Sequence, residues 1–279
     1  MAAFGPLVGG AELASLAAGD DVVVADVRWY LDGRSGLAAY EAGHVPGAVF
    51  VDLDTVLAGP PARRPSAGGR HPLPSPAAFA GALGRLGIGN RTRVVAYDDA
   101  SGSIAARLWW MLRAQGGEAA VLDGGIAAWP GDLEPGPGRA RPAASFTPRP
   151  WPAAAVADAG TVDRLRASPG AVVLDARAGE RYRGEVEPVD ARPGHIPGAR
   201  SAPWTANVDA ATGRLLPAGL LRRRFASLGV DGATAVVAYC GSGVTACHDL
   251  LALEVAGLGP ARLYPGSWSD WAAQQERPA

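Results

Sequence analysis

The sequence predicts an α/β protein built from two tandem copies of one domain, each a parallel sheet flanked by helices. Three observations predict it. The motifs of the first half return in the same order in the second. Short runs of Val and Ala look like strands buried on both faces. Helix-like stretches alternate with those runs, which is the pattern of parallel βα units.

The copies align motif by motif. "DVVVADVRWY" (21–30) returns as "AVVLDARAGERY" (171–182), and "GHVPGA" from Gly43 returns as "GHIPGA" from Gly194. "FAGALGRLGI" (79–88) returns as "RRRFASLGV" (222–230). "RVVAYDDASGSIAARLWW" (93–110) returns as "AVVAYCGSGVTACHDLL" (235–251), and "GGIAAW" (124–129) as "GSWSDW" (266–271). A repeat this long is a tandem domain pair rather than a solenoid.

In order, the strands are expected at 22–26, 93–98 and 118–122 in the first copy and at 171–175, 234–239 and 261–264 in the second. Helices are expected at 76–86, 103–115, 158–167, 218–227 and 244–256. Between the copies, "PGDLEPGPGRARPAASFTPRPWP" is rich in Pro and Gly and has no apolar period, as a linker does. The expected organisation is therefore a first domain over 1–130, a linker over 131–152 and a second domain over 153–279.

Composition excludes several classes. With 26 basic and 27 acidic residues, the net charge is −1, so no basic field attracts nucleic acid or an acidic membrane. Every basic residue is Arg, so no lysine is present to act as Schiff base or general base. No apolar run is long enough to span a membrane, and the N-terminus lacks the pattern of a signal peptide. Two cysteines are too few for a disulfide framework, and the four histidines show no ligand spacing, so no metal or cofactor is expected. The expected location is the cytoplasm, where a free thiol stays reduced.

One of those cysteines, Cys240, falls where a strand runs into the loop Gly241, Ser242, Gly243, Val244, Thr245 and a helix begins near Val244. Sites in open α/β sheets form beyond the carboxyl ends of strands. Gly241 and Gly243 leave backbone N–H groups unobstructed, and a helix N-terminus adds partial positive charge. Such surroundings favour thiolate over thiol and can hold a persulfide. Laying Tyr97 on Tyr239 sets Asp98 against Cys240, so nucleophilic chemistry is expected in the second copy alone. A structural cysteine in a turn is the bland alternative. Cys247, two helical turns on, reads as a small apolar filler.

These motifs together resemble the tandem rhodanese-like sulfurtransferases, over nearly the whole chain. The loop "CGSGVTA" is similar to that of the 3-mercaptopyruvate branch. The thiosulfate branch carries basic residues after the cysteine, where Gly241 and Ser242 stand here. The resemblance implies two rhodanese-like domains and sulfur transfer from 3-mercaptopyruvate through a Cys240 persulfide, with release of pyruvate. Its implied partners are a small-molecule sulfur donor and a thiophilic acceptor such as thioredoxin, another thiol or cyanide, with no nucleic acid and no membrane.

The resemblance also implies site residues. Arg181, in "ERYRG", falls where the family places a substrate arginine, and the fork of Arg suits a carboxylate. The nearest match to a second arginine is Arg192, with unusual spacing, and Arg183 stands in reserve. Asp54 and His71, in "VFVDLDTV" and "GGRHPLP", match residues proposed to serve the loop serine, here Ser242; Asp52 is the alternative to Asp54. Gly241, Gly243, Val244 and Thr245 would supply the backbone that holds the donor.

Other residues read as structure. His44 and His195 recur in both copies and fit a turn. Asp26 and Asp175 end strands, with Asp175 placed to orient Arg177. Trp109, Trp110, Trp268 and Trp271 read as packing. Rival functions are a thiosulfate sulfurtransferase, a non-catalytic rhodanese-like binding module, and a cysteine phosphatase; Ala246 stands where the last would need its arginine.

Overall fold

The computed structural model describes residues 4–17, 19, 21–60, 68–190 and 192–274. The chain forms two compact units. The first takes its residues from Met1–Gly59, Pro74–Trp151 and Ala210–Leu215; the second from Pro60–Leu73, Pro152–Asp209 and Leu216–Ala279. The units are therefore not collinear with the repeats, and the stretch carrying His71 belongs to the second unit. The strand and helix expected over 261–264 and 244–256 shorten at their ends, and very short elements add to the list.

In the first unit the elements run β1 (Leu7–Val8), α1 (Gly10–Ala17), β2 (Val22–Asp26), α2 (Gly36–Ala42), β3 (Val49–Phe50), a π-helical turn (Leu53–Leu57), α3 (Pro76–Arg85), β4 (Arg93–Tyr97), α4 (Ala105–Ala114), β5 (Glu118–Leu122) and a 3-10 turn (Gly125–Ala128). The sheet has the order β1-β5-β4-β2-β3, and its pairings are parallel. All five residues of β2 are buried, which is why Val22 to Ala25 are apolar without alternation, with Asp26 the buried polar end. Helix starts are marked chemically: Ser35 accepts from the Ala38 N–H, and Ser75 from the Ala78 N–H with Pro76 in the first turn. Part of the Pro/Gly-rich stretch packs on this unit. Phe146 is buried against Phe79, and Trp151 stacks on Trp110 with ring centroids 6.1 Å apart.

The second unit runs α5 (Ala159–Arg166), β6 (Ala171–Asp175), α6 (Gly179–Tyr182), β7 (Arg200–Ser201), a 3-10 turn (Trp204–Asn207), α7 (Ala218–Ser227), β8 (Ala235–Tyr239), α8 (Ala246–Val255), β9 (Arg262–Leu263) and α9 (Ser267–Ala273). Its sheet, β7-β6-β8-β9, has the corresponding order, and a parallel bridge from Val156 to Leu263 takes the place of the first unit's edge strand. α8 is buried from Ala246 through Leu253, so it lacks the one-sided apolar stripe of a surface helix.

The same polar knot fastens both sheets. In the first unit Tyr97 Oη donates to Asp26 at 2.7 Å and accepts from the Val45 N–H, while Arg28 binds Asp26 at 2.6 Å and the Gly43 carbonyl at 2.8 Å. In the second, Tyr239 Oη accepts from the Ile196 N–H, and Arg177 binds Asp175 and the Gly194 carbonyl, each at 2.7 Å. His44 stacks on Tyr40 and His195 on Tyr182, with centroids 3.9 Å apart in both pairs. Each histidine also uses Nδ1 on the carbonyl of the tyrosine it stacks against. The repeated Gly-His-Val/Ile-Pro-Gly-Ala motif is thus a turn locked to a strand end. Burial raises both tyrosine hydroxyls far above their ordinary pKa, so they act as neutral donors and acceptors.

Candidate active site at the end of the central strand

β8 is central in its sheet, and Cys240 is the first residue beyond it. The side chain is buried. The Gly243 N–H points back at Cys240 Sγ with a separation of 3.1 Å, so a donor faces the sulfur. The loop is fastened to the start of α9. The Cys240 N–H donates to Ser267 Oγ at 3.0 Å; the Cys240 and Gly241 carbonyls accept from the N–H groups of Trp268 and Ser269 at 2.9 and 3.0 Å. Ser267 holds this contact at φ +55°, a left-handed conformation unusual for a residue with a β-carbon.

The two glycines have different reasons to be glycine. Gly243 has φ +77°, and a β-carbon there would stand 2.5 Å from the Pro265 carbonyl oxygen. Gly241 makes room for cations: a β-carbon there would lie 2.9 Å from Arg70 Nη2 and 3.5 Å from Arg181 Nη1. α8 starts at Ala246 with Thr245 as its cap residue, two residues later than the sequence suggests. Val244 is buried, and Cys247 Sγ points at the Gly243 carbonyl as buried filler.

Ser242, next to Gly241, is hydrogen-bonded through Oγ to His71 Nδ1 at 2.8 Å. The stretch around His71 is anchored to α9, since the Gly68 and Arg70 N–H groups donate to Asp270 and to Ser269 Oγ. Of the two acidic alternatives, Asp52 caps the π-helical turn by accepting from the Thr55 N–H and hydroxyl. Asp54 is exposed and accepts from Trp29 Nε1 at 3.0 Å within the first unit.

Arg181, within α6, pairs with two acids, Glu187 at 2.6 Å and Asp190 at 3.2 Å. Arg192 departs from the expectation. Its Nη2 is directed at the Trp271 carbonyl, at 3.5 Å, and its guanidinium lies 5.8 Å from the Trp268 ring, which ties it to α9. Arg70, one residue before His71, stands beside Arg181 over the loop instead and pairs with Asp190. Arg183 pairs with Glu185 on the surface. Burial would raise Glu187, but the Arg181 hydrogen bond and the Asp190 N–H bring it net below the ordinary carboxylate value. Burial raises Asp190, against the pull of Arg70.

Sequence reasoning passed over Arg70, the Glu187–Asp190 pair and Ser267. Arg70 had a signal in being adjacent to His71. Ser267 had one in the repeat, because Gly125 holds its place in "GGIAAW" with φ +62°. The equivalent loop of the first unit shows what the missing thiol leaves behind. The buried Asp98 carboxylate accepts from the N–H groups of Ala100, Gly102, Ile104 and Ala105, each at 2.8 Å. Burial pushes its pKa up, and the four amides pull against that.

Comparison with known proteins bears on the family and the fold. The family model described as a rhodanese-like domain matches twice, over residues 10–132 and 158–274. The chain is 44% identical to a probable 3-mercaptopyruvate sulfurtransferase of Pseudomonas aeruginosa, over 96% of this chain and 95% of that one. It is 42% identical to a putative thiosulfate sulfurtransferase of Mycobacterium tuberculosis, over 98% of this chain and 95% of that one. Among solved structures, SseA from Escherichia coli, a 3-mercaptopyruvate sulfotransferase, superposes with a TM-score of 0.82 at 33% identity, covering 95% of this chain and 99% of that one.

Proposed function

From the premise that the chain belongs to the rhodanese-like family, we propose that it is a sulfurtransferase that takes sulfur from 3-mercaptopyruvate onto Cys240. The Cys240 thiolate attacks the donor sulfur. The carbon–sulfur bond breaks, its electron pair passes to the departing carbon as the pyruvate enolate, and the sulfur stays on Cys240 as a persulfide. The enolate takes up a proton and leaves as pyruvate. A second nucleophile (thioredoxin, another thiol, or cyanide) then attacks the outer sulfur and returns Cys240 to thiolate.

The observation that carries this reading is the hydrogen bond between His71 and Ser242, two residues from the nucleophile. A hydroxyl joined to an imidazole in this way supports proton delivery to the departing enolate. We assign Ser242 and His71 to that proton path. Gly243 supports negative charge on sulfur through its N–H. Gly241, Val244 and Thr245 shape the loop, and Arg181 receives the donor carboxylate.

Thiosulfate is the second reading, favoured by the name of the 42% identical relative. The loop residues after Cys240 are Gly and Ser rather than basic side chains, which argues for the mercaptopyruvate donor. No helix among the described residues is long and apolar enough to cross a membrane. With two free thiols the proposed location is the reducing cytoplasm.

Intact mass after mixing with each donor tests the proposal. A gain of about 32 Da, one sulfur atom, from mercaptopyruvate and its absence in Cys240→Ser is the expected result. Gain from thiosulfate alone moves the assignment to the other donor. No gain from either leaves a binding module.

A further inference from the structure

We propose that Arg70 is the second guanidinium of the donor-carboxylate site, paired with Arg181; this rests on the sulfurtransferase reading above. The two arginines converge on one point of the loop. Arg70 Nη2 and Arg181 Nη1 are the side-chain atoms that a β-carbon on Gly241 would meet, at 2.9 and 3.5 Å. Gly241 directly follows the nucleophile, so both cations lie against the residue next to Cys240 in the loop.

They are also held as a pair. Asp190 uses Oδ1 on Arg70 and Oδ2 on Arg181, and Glu187 adds a second contact to Arg181. The exposure of these four side chains shows which way the cluster faces. Arg70 and Arg181 are 30% and 17% exposed, Asp190 and Glu187 only 5% and 3%. The acids lie behind and the guanidiniums in front. An arriving anion meets cations already oriented from the rear, so little ordering is left for binding to supply.

The backbone of Arg70 is fixed to the same frame as the loop. Its N–H donates to Ser269 Oγ, and the Ser269 N–H donates to the Gly241 carbonyl. Arg70 Nη1 goes to Asp190, while Nη2 lies over Gly241. One short stretch of chain therefore brings both the imidazole of His71 and a carboxylate-binding cation. The role the sequence assigned to Arg192 falls to Arg70, because Arg192 is engaged with α9.

The test compares two donors on the full-length protein: 3-mercaptopyruvate, and mercaptoacetone, which has a methyl group where the other has its carboxylate. The readout is the rate of Cys240 persulfide formation in a single turnover, as a function of donor concentration. In Arg70→Gln, the preference for mercaptopyruvate over mercaptoacetone is expected to fall roughly tenfold or more, mainly through weaker saturation. Arg181→Gln should lose preference in the same sense. If Arg70 only neutralises Asp190, the double variant Arg70→Gln/Asp190→Asn will recover the wild-type preference; that recovery overturns the proposal. An equal loss on both donors, or no loss in Arg70→Gln, overturns it as well. A wild-type protein that takes sulfur from neither donor instead overturns the mercaptopyruvate reading, and the clamp with it.

Discussion

Replacing Asp249 by Asn should remove most of the pH dependence of the second unit's stability across the neutral range. Asp249 sits on α8, fully buried. Burial raises its pKa from 3.8 to about 7; the Arg224 charge and a 2.7 Å hydrogen bond from Asn207 oppose that rise, and Asp175 adds to it. Arg224 is itself poorly solvated, and burial lowers its pKa. His248 also faces Asn207, at 3.2 Å. A carboxyl group whose folded pKa is raised binds more protons folded than unfolded between the two values. Its contribution to stability is therefore full below about pH 4 and is lost as pH rises through about 7. From pH 5 to pH 7 that is two units at about 1.36 kcal/mol each, so roughly 3 kcal/mol. Urea unfolding at pH 5, 6, 7 and 8 measures it. Wild type should lose roughly 3 kcal/mol relative to Asp249→Asn between pH 5 and pH 8, with the two close at pH 5. Parallel curves for the two proteins would refute the account, because every other ionisable group is common to both.

Three further outcomes test the site and its duplicate. His71→Gln should slow persulfide formation from mercaptopyruvate by roughly 10²-fold or more, measured in a single turnover, if the imidazole moves the proton. Gly243→Ala forces a β-carbon against the Pro265 carbonyl at φ +77°, so it should lower the melting temperature and abolish sulfur loading together. Asp98→Ala strips four buried N–H groups of their acceptor at once. At about 1–3 kcal/mol for each unsatisfied group, it should cost more stability than an ordinary core substitution, read as a loss of soluble folded protein or a large fall in unfolding midpoint.

Much of the frame is legible in the sequence because the determinants are local and repeated. β2, β5 and β6 begin and end where their apolar runs do, and α7 occupies its expected span. Elements such as β1, β3 and β7 have two residues each and carry no period from which to recognise them. α6 has four residues for the same reason. The cysteine loop is legible because two glycines follow a thiol at a strand end. Arg70 is not, because its place depends on a stretch of the first repeat joining the second unit, and separation along the chain hides that. The sequence neighbours of Arg192 suggest a substrate arginine, while its guanidinium is directed at α9, which no local pattern reveals.

The duplicated loops show what separates a scaffold from a site. Both units place a residue just past the central strand, and both fasten its carbonyl to the turn that follows the next strand. Ile126 N–H bonds the Asp98 carbonyl at 2.8 Å, and Trp268 N–H bonds that of Cys240 at 2.9 Å. In the first unit the nest of amides is filled by the chain's own carboxylate, and the matching turn uses Gly125 at positive φ without strain. In the second, Ser267 occupies that position, at a cost of about 1–3 kcal/mol for a left-handed residue with a side chain. In return its hydroxyl holds the Cys240 N–H. Stability alone would favour glycine in both places. Left-handed residues with side chains stand in both units, Ser101 at φ +57° in the Asp98 loop and Ser267 at φ +55° beside Cys240, so strain alone does not mark the site; what sets Ser267 apart is that its hydroxyl holds the backbone of the nucleophile.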